Sequence, residues 1–258
     1  MRVLLANDDG ILAPGLLAMY RALDADPEMR VDVVAPETVQ SAAAHAITIR
    51  HPLLCRDVHI AGAFHGTGVE GSPADCVKLA VNALLPERPE LVISGINDGA
   101  NVGVHVLYSG TVAAAAEGAI LGCASIAVSL TTSDEPDFDM AARLAKPVID
   151  QLLRQDARPG SLYNVNLPAP GPGRPRGVRV VRQSTQSLIE RFERRHDPAG
   201  RPYYWLSGEF GESPDEGDTD LRAIREGYIA VTPLHVDLTH AARLEKMQTW
   251  TWPDLRRG

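Results

Sequence analysis

The stretch that most constrains this chain is its opening, residues 1–36, which reads as a β-α-β unit with an acidic turn at its first junction. Residues 1–6 hold a short apolar run, Val3, Leu4 and Leu5, and punctuation follows at once, as expected of a buried strand. Residues 15–23 place Leu16, Met19, Tyr20 and Leu23 at helical spacing, and residues 31–35 form a second apolar run stopped by Pro36. Strand, helix and strand with short connections open a doubly wound parallel sheet. The first strand ends in Asn7-Asp8-Asp9-Gly10. Ligands bind open α/β sheets at the carboxyl ends of their strands, so two adjacent carboxylates stand where a ligand is expected. Neighbouring carboxylates repel, and both stay ionised most readily with a cation between them. Oxygen-only donors favour Mg2+, Mn2+ or Ca2+ over a thiolate-seeking metal. A lone Asp-Asp also fits a plain solvated turn, so the weight rests on what shares that sheet edge. The dinucleotide fingerprint is absent: Asp8-Asp9-Gly10 stands where Gly-x-Gly-x-x-Gly would be.

Several loops fall on the same edge. Residues 36–45 leave the second strand and carry Ser41 among small residues. Short strands are expected at 46–49 and 58–60, with Gly66-Thr67-Gly68 as a loop signal. Gly71-Ser72-Pro73-Ala74-Asp75 reads as a helix start, with Ser72 as cap, Pro73 in the first turn and a helix running to about Leu84. A third strand, 90–94, releases Ser94-Gly95-Ile96-Asn97-Asp98-Gly99-Ala100-Asn101-Val102-Gly103, a long Gly/Asn loop of a kind more often functional than idle. Asn97 there can offer an amide oxygen to a hard metal or an amide N–H to an anion. Ser109, Gly110 and Thr111 then begin an Ala-rich helix, 112–120. Its free N–H groups suit a phosphate-sized anion, although Ser109 also fits a simple cap. Strands are expected at 125–130, 162–167, 178–182 and 228–232, and helices at 138–153 and 219–226.

The formal charge of −8 over 258 residues argues against a broad basic surface for a nucleic-acid duplex. An anionic ligand would need a local counter-charge. Cys55, Cys76 and Cys123 lack Cys-x-x-Cys spacing and read as small buried thiols of a reducing compartment, not a disulfide frame or zinc site. Residues 112–130 carry only Glu117 as a charge, yet they are Ala-rich and interrupted by Gly118 and Gly122. A helix followed by a buried strand accounts for them better than a membrane span. No signal peptide is read at the N-terminus, so a soluble cytoplasmic protein is expected. Residues 168–176 form a Pro/Gly-rich joint. Beyond it, 183–212 mixes charges with Phe192, Tyr203, Tyr204, Trp205 and Phe210, and a hairpin arm is expected around 203–206. With Trp250 and Trp252 in the tail, these aromatics suggest subunit contacts. The chain is read as one α/β domain, with a core over 1–176 and an extension over 177–258.

The residues at these positions closely resemble the stationary-phase survival protein family (SurE). The resemblance rests on Asn7-Asp8-Asp9-Gly10, Ser41 with Ile47-Thr48, Gly71-Ser72-Pro73-Ala74-Asp75-Cys76, Ser94-Gly95-Ile96-Asn97, Asn101, Gly103 and Tyr108-Ser109-Gly110-Thr111 with Glu117-Gly118. Thr232-Pro233-Leu234, Asp237 and Thr239 extend it, in order, to about residue 239. It implies a Rossmann-like, mostly parallel sheet flanked by helices, with a C-terminal hairpin and tail that build a homodimer or homotetramer. It further implies one divalent metal ion per subunit, Mg2+ or Mn2+, at Asp8, Asp9, Ser41 and Asn97. The implied activity is hydrolysis of nucleoside 5′-monophosphates, extending in some members to 3′-monophosphates and short polyphosphate. Asp8 and Asp9 would be the catalytic pair, and Asn97, Asn101, Ser109, Gly110 and Thr111 would bind the phosphate. Two positions depart from the pattern: Ser72 replaces a usual Thr, and Val104-His105 replaces residues that are often acidic, leaving an imidazole near the site. The residues alone do not choose between an aspartate that acts as general base and one that attacks as nucleophile. An acidic pair after a first strand also suits a Mg2+-bound phospho-accepting module. Such a module is about half this length and needs neither glycine loop nor hairpin.

Overall fold

The structure is a computed structural model that describes the whole chain except residues 61, 157, 170, 172–174, 187, 211–216 and 256–258, together with the side chains of 188–190 and 209–210. Parts of the Pro/Gly joint, the end of the charged and aromatic stretch at Glu212 and the side chain of Phe210 therefore lie outside the described residues.

The expected β-α-β start is present as β1 (Arg2–Ala6), α1 (Pro14–Asp24) and β2 (Arg30–Pro36). There follow β3 (Cys55–Ile60), β4 (Phe64–Val69), α2 (Pro73–Leu79), β5 (Leu91–Asp98), α3 (Gly110–Ile120), β6 (Ala124–Leu130), α4 (Phe138–Gln155) and β7 (Leu162–Leu167). The extension adds β8 (Val178–Val180), β9 (Leu188–His196), β10 (Pro202–Phe210), α5 (Asp220–Arg225), β11 (Ile229–Leu234) and α6 (Ala241–Gln248). Nine strands form one sheet in the order β3-β4-β2-β1-β5-β6-β7-β11-β8. The run from β4 to β7 is parallel throughout, while β3 and β11 pair antiparallel to β4 and β7. The first strand sits in the middle of that parallel run, and its carboxyl end opens between those of β2 and β5.

Alternation along β1 explains the three layers. Val3 and Leu5 join Leu16, Met19, Leu23, Ala145 and Ile149 under α1 and α4, whereas Leu4 and Ala6 join Cys76, Val77 and Ala114 under α2 and α3. Each fully buried side chain of this kind contributes roughly 1.5–3 kcal/mol. A strand buried on both faces must be apolar at successive positions, which is why residues 1–6 read as a run and not as an alternation.

Several expectations are corrected. Residues 46–49 form no strand. Their backbone is held by side chains instead: the Thr48 N–H donates to the Asp75 carboxylate, and the Ser72 hydroxyl donates to the Ala46 carbonyl. Gly66-Thr67-Gly68 is the middle of β4, not a loop, and a Cβ at Gly66 would come within 2.9 Å of the Val33 carbonyl oxygen. The third strand does not stop at Ser94. It runs to Asp98 past a register shift between Ser94 and Asn97, so half of the expected Gly/Asn loop is a bulged strand end. The helix at 73 ends at Leu79, and Ala80–Leu84 continues as a π-helical turn. Cys55 is exposed, unlike the buried Cys76 and Cys123. Beyond residue 176, β8 and β11 join the sheet of the core, while β9 and β10 pair with each other.

Candidate active site at the carboxyl edge of the sheet

Where β1, β2 and β5 end, a cavity of about 610 Å3 opens, and Asp8, Asp9, Ser41, Asn97, Asn101 and Ser109 all line it. Residues from three connections and from the end of β5 thus converge where the topology places a ligand.

Asp8 lines the cavity yet is buried, 5% exposed. The Thr111 hydroxyl donates to its Oδ1 at 2.5 Å. The Thr111 and Gly110 N–H groups at the start of α3 also favour the ionised carboxylate, yet burial outweighs them and raises the Asp8 pKa. Gly110 is needed for the approach: a Cβ there would lie 2.8 Å from Asp8 Cβ. The helix terminus therefore already holds an anion, and it is the side chain of Asp8. Gly110 and Thr111 were expected on the cavity wall, but neither lines it, and Thr111 is fully buried. Ser109 does line it. Its Oγ accepts the Val112 N–H at 3.0 Å as helix cap, which leaves the hydroxyl proton free to point outward.

Asp9 is less enclosed, and its pKa is pushed up to about 6 by burial and then by the charges of Asp8 and Asp98, against a hydrogen bond from the Asp98 N–H. Asn97 donates its amide N–H to the Gly99 carbonyl at 2.7 Å, which turns its oxygen into the atom available to a ligand. Asn101 is fastened on every side. Its N–H donates to Asn166, its side-chain amide to Ser129, and its carbonyl accepts from Asn164 and Asn166. The glycine loop is further clamped by the extension, since the Gly103 N–H donates to Asp220 Oδ2 and the Gln183 amide donates to the Gly103 carbonyl.

The Ser41 loop is tied to the site by the Gln40 N–H donating to the Asp8 carbonyl at 2.7 Å and the Ala44 N–H to the Tyr108 carbonyl at 3.0 Å. Ala42 and Ala44 adopt φ of 56° and 50°, left-handed values that cost an alanine about 1–2 kcal/mol each. A buried carboxylate anchors the end of this loop: Glu117, 2% exposed, meets the exposed His45 at 2.8 Å and the exposed Lys78 at 2.7 Å. The hydrogen bond from His45 leads in lowering the Glu117 pKa.

Sequence reasoning left three features of the site unassigned. Asp98 lines the cavity beside Asp9, and an acid one residue past Asn97 was the available signal. His45 and Glu117 meet across 72 residues with no local signal. Leu206, from β10, also lines the cavity, so the hairpin expected for subunit contacts reaches the site. His105 lines it too, in keeping with the imidazole expected nearby. Among the described residues, those lining this cavity thus include three aspartates and neither lysine nor arginine. No group of three or more His, Cys, Asp or Glu side chains is arranged for a metal among the described residues. The donors that converge are instead two carboxylates, a hydroxyl and an amide oxygen, an all-oxygen set that fits a hard divalent cation and repels a bare anion.

The survival protein SurE family model matches residues 3–190. The chain belongs to the SurE family. It is 44% identical over 250 residues to the 5′-nucleotidase SurE of Syntrophobacter fumaroxidans, covering 97% of this chain and 99% of that protein. It is 45% identical over 251 residues to the 5′-nucleotidase SurE of Rhodopirellula baltica, covering 97% and 98%. Among solved structures, the SurE protein from Aquifex aeolicus superposes with a TM-score of 0.82 at 37% identity, covering 96% of this chain and 98% of that one. SurE membership accounts for the sheet and the helices on both of its faces. No helix among the described residues is long and apolar enough to cross a membrane.

Proposed function

We propose that this chain is a 5′-nucleotidase, a metal-dependent phosphomonoesterase that hydrolyses nucleoside 5′-monophosphates to nucleoside and phosphate. One observation carries the metal dependence: among the described residues, the cavity that must receive a phosphate dianion is lined by Asp8, Asp9 and Asp98 with no lysine or arginine. Coulomb repulsion keeps a phosphate out of such a wall until a cation intervenes.

Asp8, Asp9, the Ser41 hydroxyl and the Asn97 amide oxygen would hold one Mg2+ or Mn2+ per subunit. When bound, such an ion neutralises charge on phosphoryl oxygens and lowers the pKa of a nearby water. The chain does the positioning. Thr111 and the N–H groups of Gly110 and Thr111 fix the Asp8 carboxylate in one orientation. The left-handed alanines and the His45–Glu117 contact shape the loop that carries Ser41. Ser109 donates its free hydroxyl proton to a phosphoryl oxygen, and Asn101, held rigid by four hydrogen bonds, shapes the adjoining wall. Gly110 and Thr111 serve phosphate binding through Asp8. In the reaction a water oxygen bonds to phosphorus, the ester P–O bond breaks, and the ribose oxygen leaves with a proton. The same wall would accept 3′-monophosphates and short polyphosphate, which present the same terminal group.

A single-domain reading is supported by the extension, which clamps Gly103 through Asp220 and supplies two strands to the sheet. Exposed Phe192, Tyr204, Trp205, Trp250 and Trp252 support a homodimer or homotetramer built through the hairpin and tail. Three free thiols fit a reducing cytoplasm. Asp9→Asn tests the site: phosphate release from AMP or GMP with Mn2+ is expected to vanish while circular dichroism is unchanged. Undiminished release would overturn the assignment.

A further inference from the structure

We propose that Tyr108 and Leu206 form a base subsite of this cavity that selects purine over pyrimidine nucleotides, an inference that rests on the nucleotidase reading above. The cavity is lined by two kinds of side chain. The aspartates, Ser41 and Asn97 are polar, whereas Tyr108 and Leu206 bring large apolar surface to the same concavity. These two side chains are 54% and 56% exposed, so a large aromatic and a large aliphatic group sit uncovered in the same concavity as a polar wall. Concave sites that pair apolar surface with a few convergent polar groups are ligand sites, and here the ligand must be apolar at one end and anionic at the other. A nucleoside monophosphate has that form.

The spacing agrees. Tyr108 immediately precedes Ser109, whose hydroxyl faces the phosphate, and its backbone is fixed at both ends: its N–H donates to the His105 carbonyl, and its carbonyl accepts from Ala44. Leu206 arrives from the separate two-stranded sheet, where it pairs in register with Phe192, so the hairpin brings an aliphatic group to a cavity made otherwise by the core. A tyrosine ring stacks on a base face and a leucine covers apolar area; neither reads more than one hydrogen-bonding edge of a base. Such a subsite discriminates by area, and a purine offers more of it.

The test compares kcat/KM for AMP, CMP and ribose 5-phosphate with Mn2+ present, in the full chain. Wild type is expected to prefer AMP over CMP roughly threefold or more. Leu206→Asn is expected to lower the ratio of AMP to ribose 5-phosphate about fivefold through KM, with Leu206→Met close to wild type. Tyr108→Ala, in the core and outside the hairpin, is expected to lower the same ratio. Equal use of AMP and CMP, or ratios unmoved by both variants, would overturn the subsite. A fall in Leu206→Asn alone would place the effect in assembly and overturn it equally. Wild type that cleaves ribose 5-phosphate but no nucleotide removes the subsite and leaves the phosphatase chemistry standing; failure on every substrate removes the nucleotidase reading itself.

Discussion

Thr111 and Asp8 lie 103 positions apart, yet the hydroxyl of one fixes the carboxylate of the other. That contact explains how a buried acid is kept in one orientation at the proposed metal site while burial pushes its pKa up. The second aspartate is the more exposed of the pair, and its cost is measurable. Asp9 has an ordinary pKa of 3.8, raised to about 6 here. The folded state therefore binds its proton more tightly than the unfolded state does, and the ionised carboxylate is a destabilising charge. The penalty is complete above pH 6, shrinks as pH falls through that value, and is gone below 3.8. Metal-free Asp9→Asn should accordingly be more stable than wild type at pH 7.5. Discounted for the water that Asp9 still sees, the gain is about 1 kcal/mol, or roughly 2–4 °C in Tm. Thermal unfolding in EDTA at pH 7.5 and at pH 4 checks it: the gap should be present at the first and closed at the second.

At the scale of elements, α3 is the part on which the site depends. Its start must lie against Asp8 and its middle against the sheet, and glycine permits both contacts. A Cβ at Gly110 would press on Asp8, and one at Gly118 would come within 2.6 Å of Ser125 Oγ and 2.7 Å of Val92 Cγ2. Gly110→Ala is expected to cut metal-dependent phosphate release at least tenfold, by displacing the Asp8 carboxylate, while unfolding cooperatively within about 1–3 kcal/mol of wild type. Activity and urea titrations on one preparation separate the two effects. Elements of this kind were largely legible in the sequence. The opening β-α-β unit follows from apolar runs with Pro and Gly beside them, β7 from its alternation up to Pro168, and the cap at Ser72 from its residue type. What misled was glycine within strands: Gly66 and Gly68 signal a loop locally but are required in β4 by the closeness of Val33 and Glu37. The stretch 46–49 misled in the opposite sense, having strand-like residues but no neighbouring strand to pair with. Asp8, Asp9, Ser41, Asn97 and Ser109 could be placed on one edge by topology alone. The roles of Thr111, Glu117 and Asp98 could not, because each depends on a contact across many residues or on which face of a bulge a side chain takes.

For the whole molecule, the extension is bound into the site at one end and bare at the other. Asp220 and Gln183 hold the glycine loop, and Leu206 reaches the cavity, whereas Trp205, Trp250 and Trp252 remain 48–61% exposed. Aromatic surface of that extent on hairpin and tail is the surface expected to join subunits. Trp205→Glu combined with Trp252→Glu should shift sedimentation from a dimer or tetramer to the monomer, and a wild type that sediments as a monomer would contradict the assembly. The central claim is that an acidic cavity becomes a phosphate site only with a cation in it. It is tested most directly by stripping the purified protein with EDTA, exchanging the chelator away, and following phosphate release from AMP as Mn2+ or Mg2+ is returned. The account predicts no release from the stripped protein and a saturable recovery with added ion; full activity in the stripped protein would contradict it.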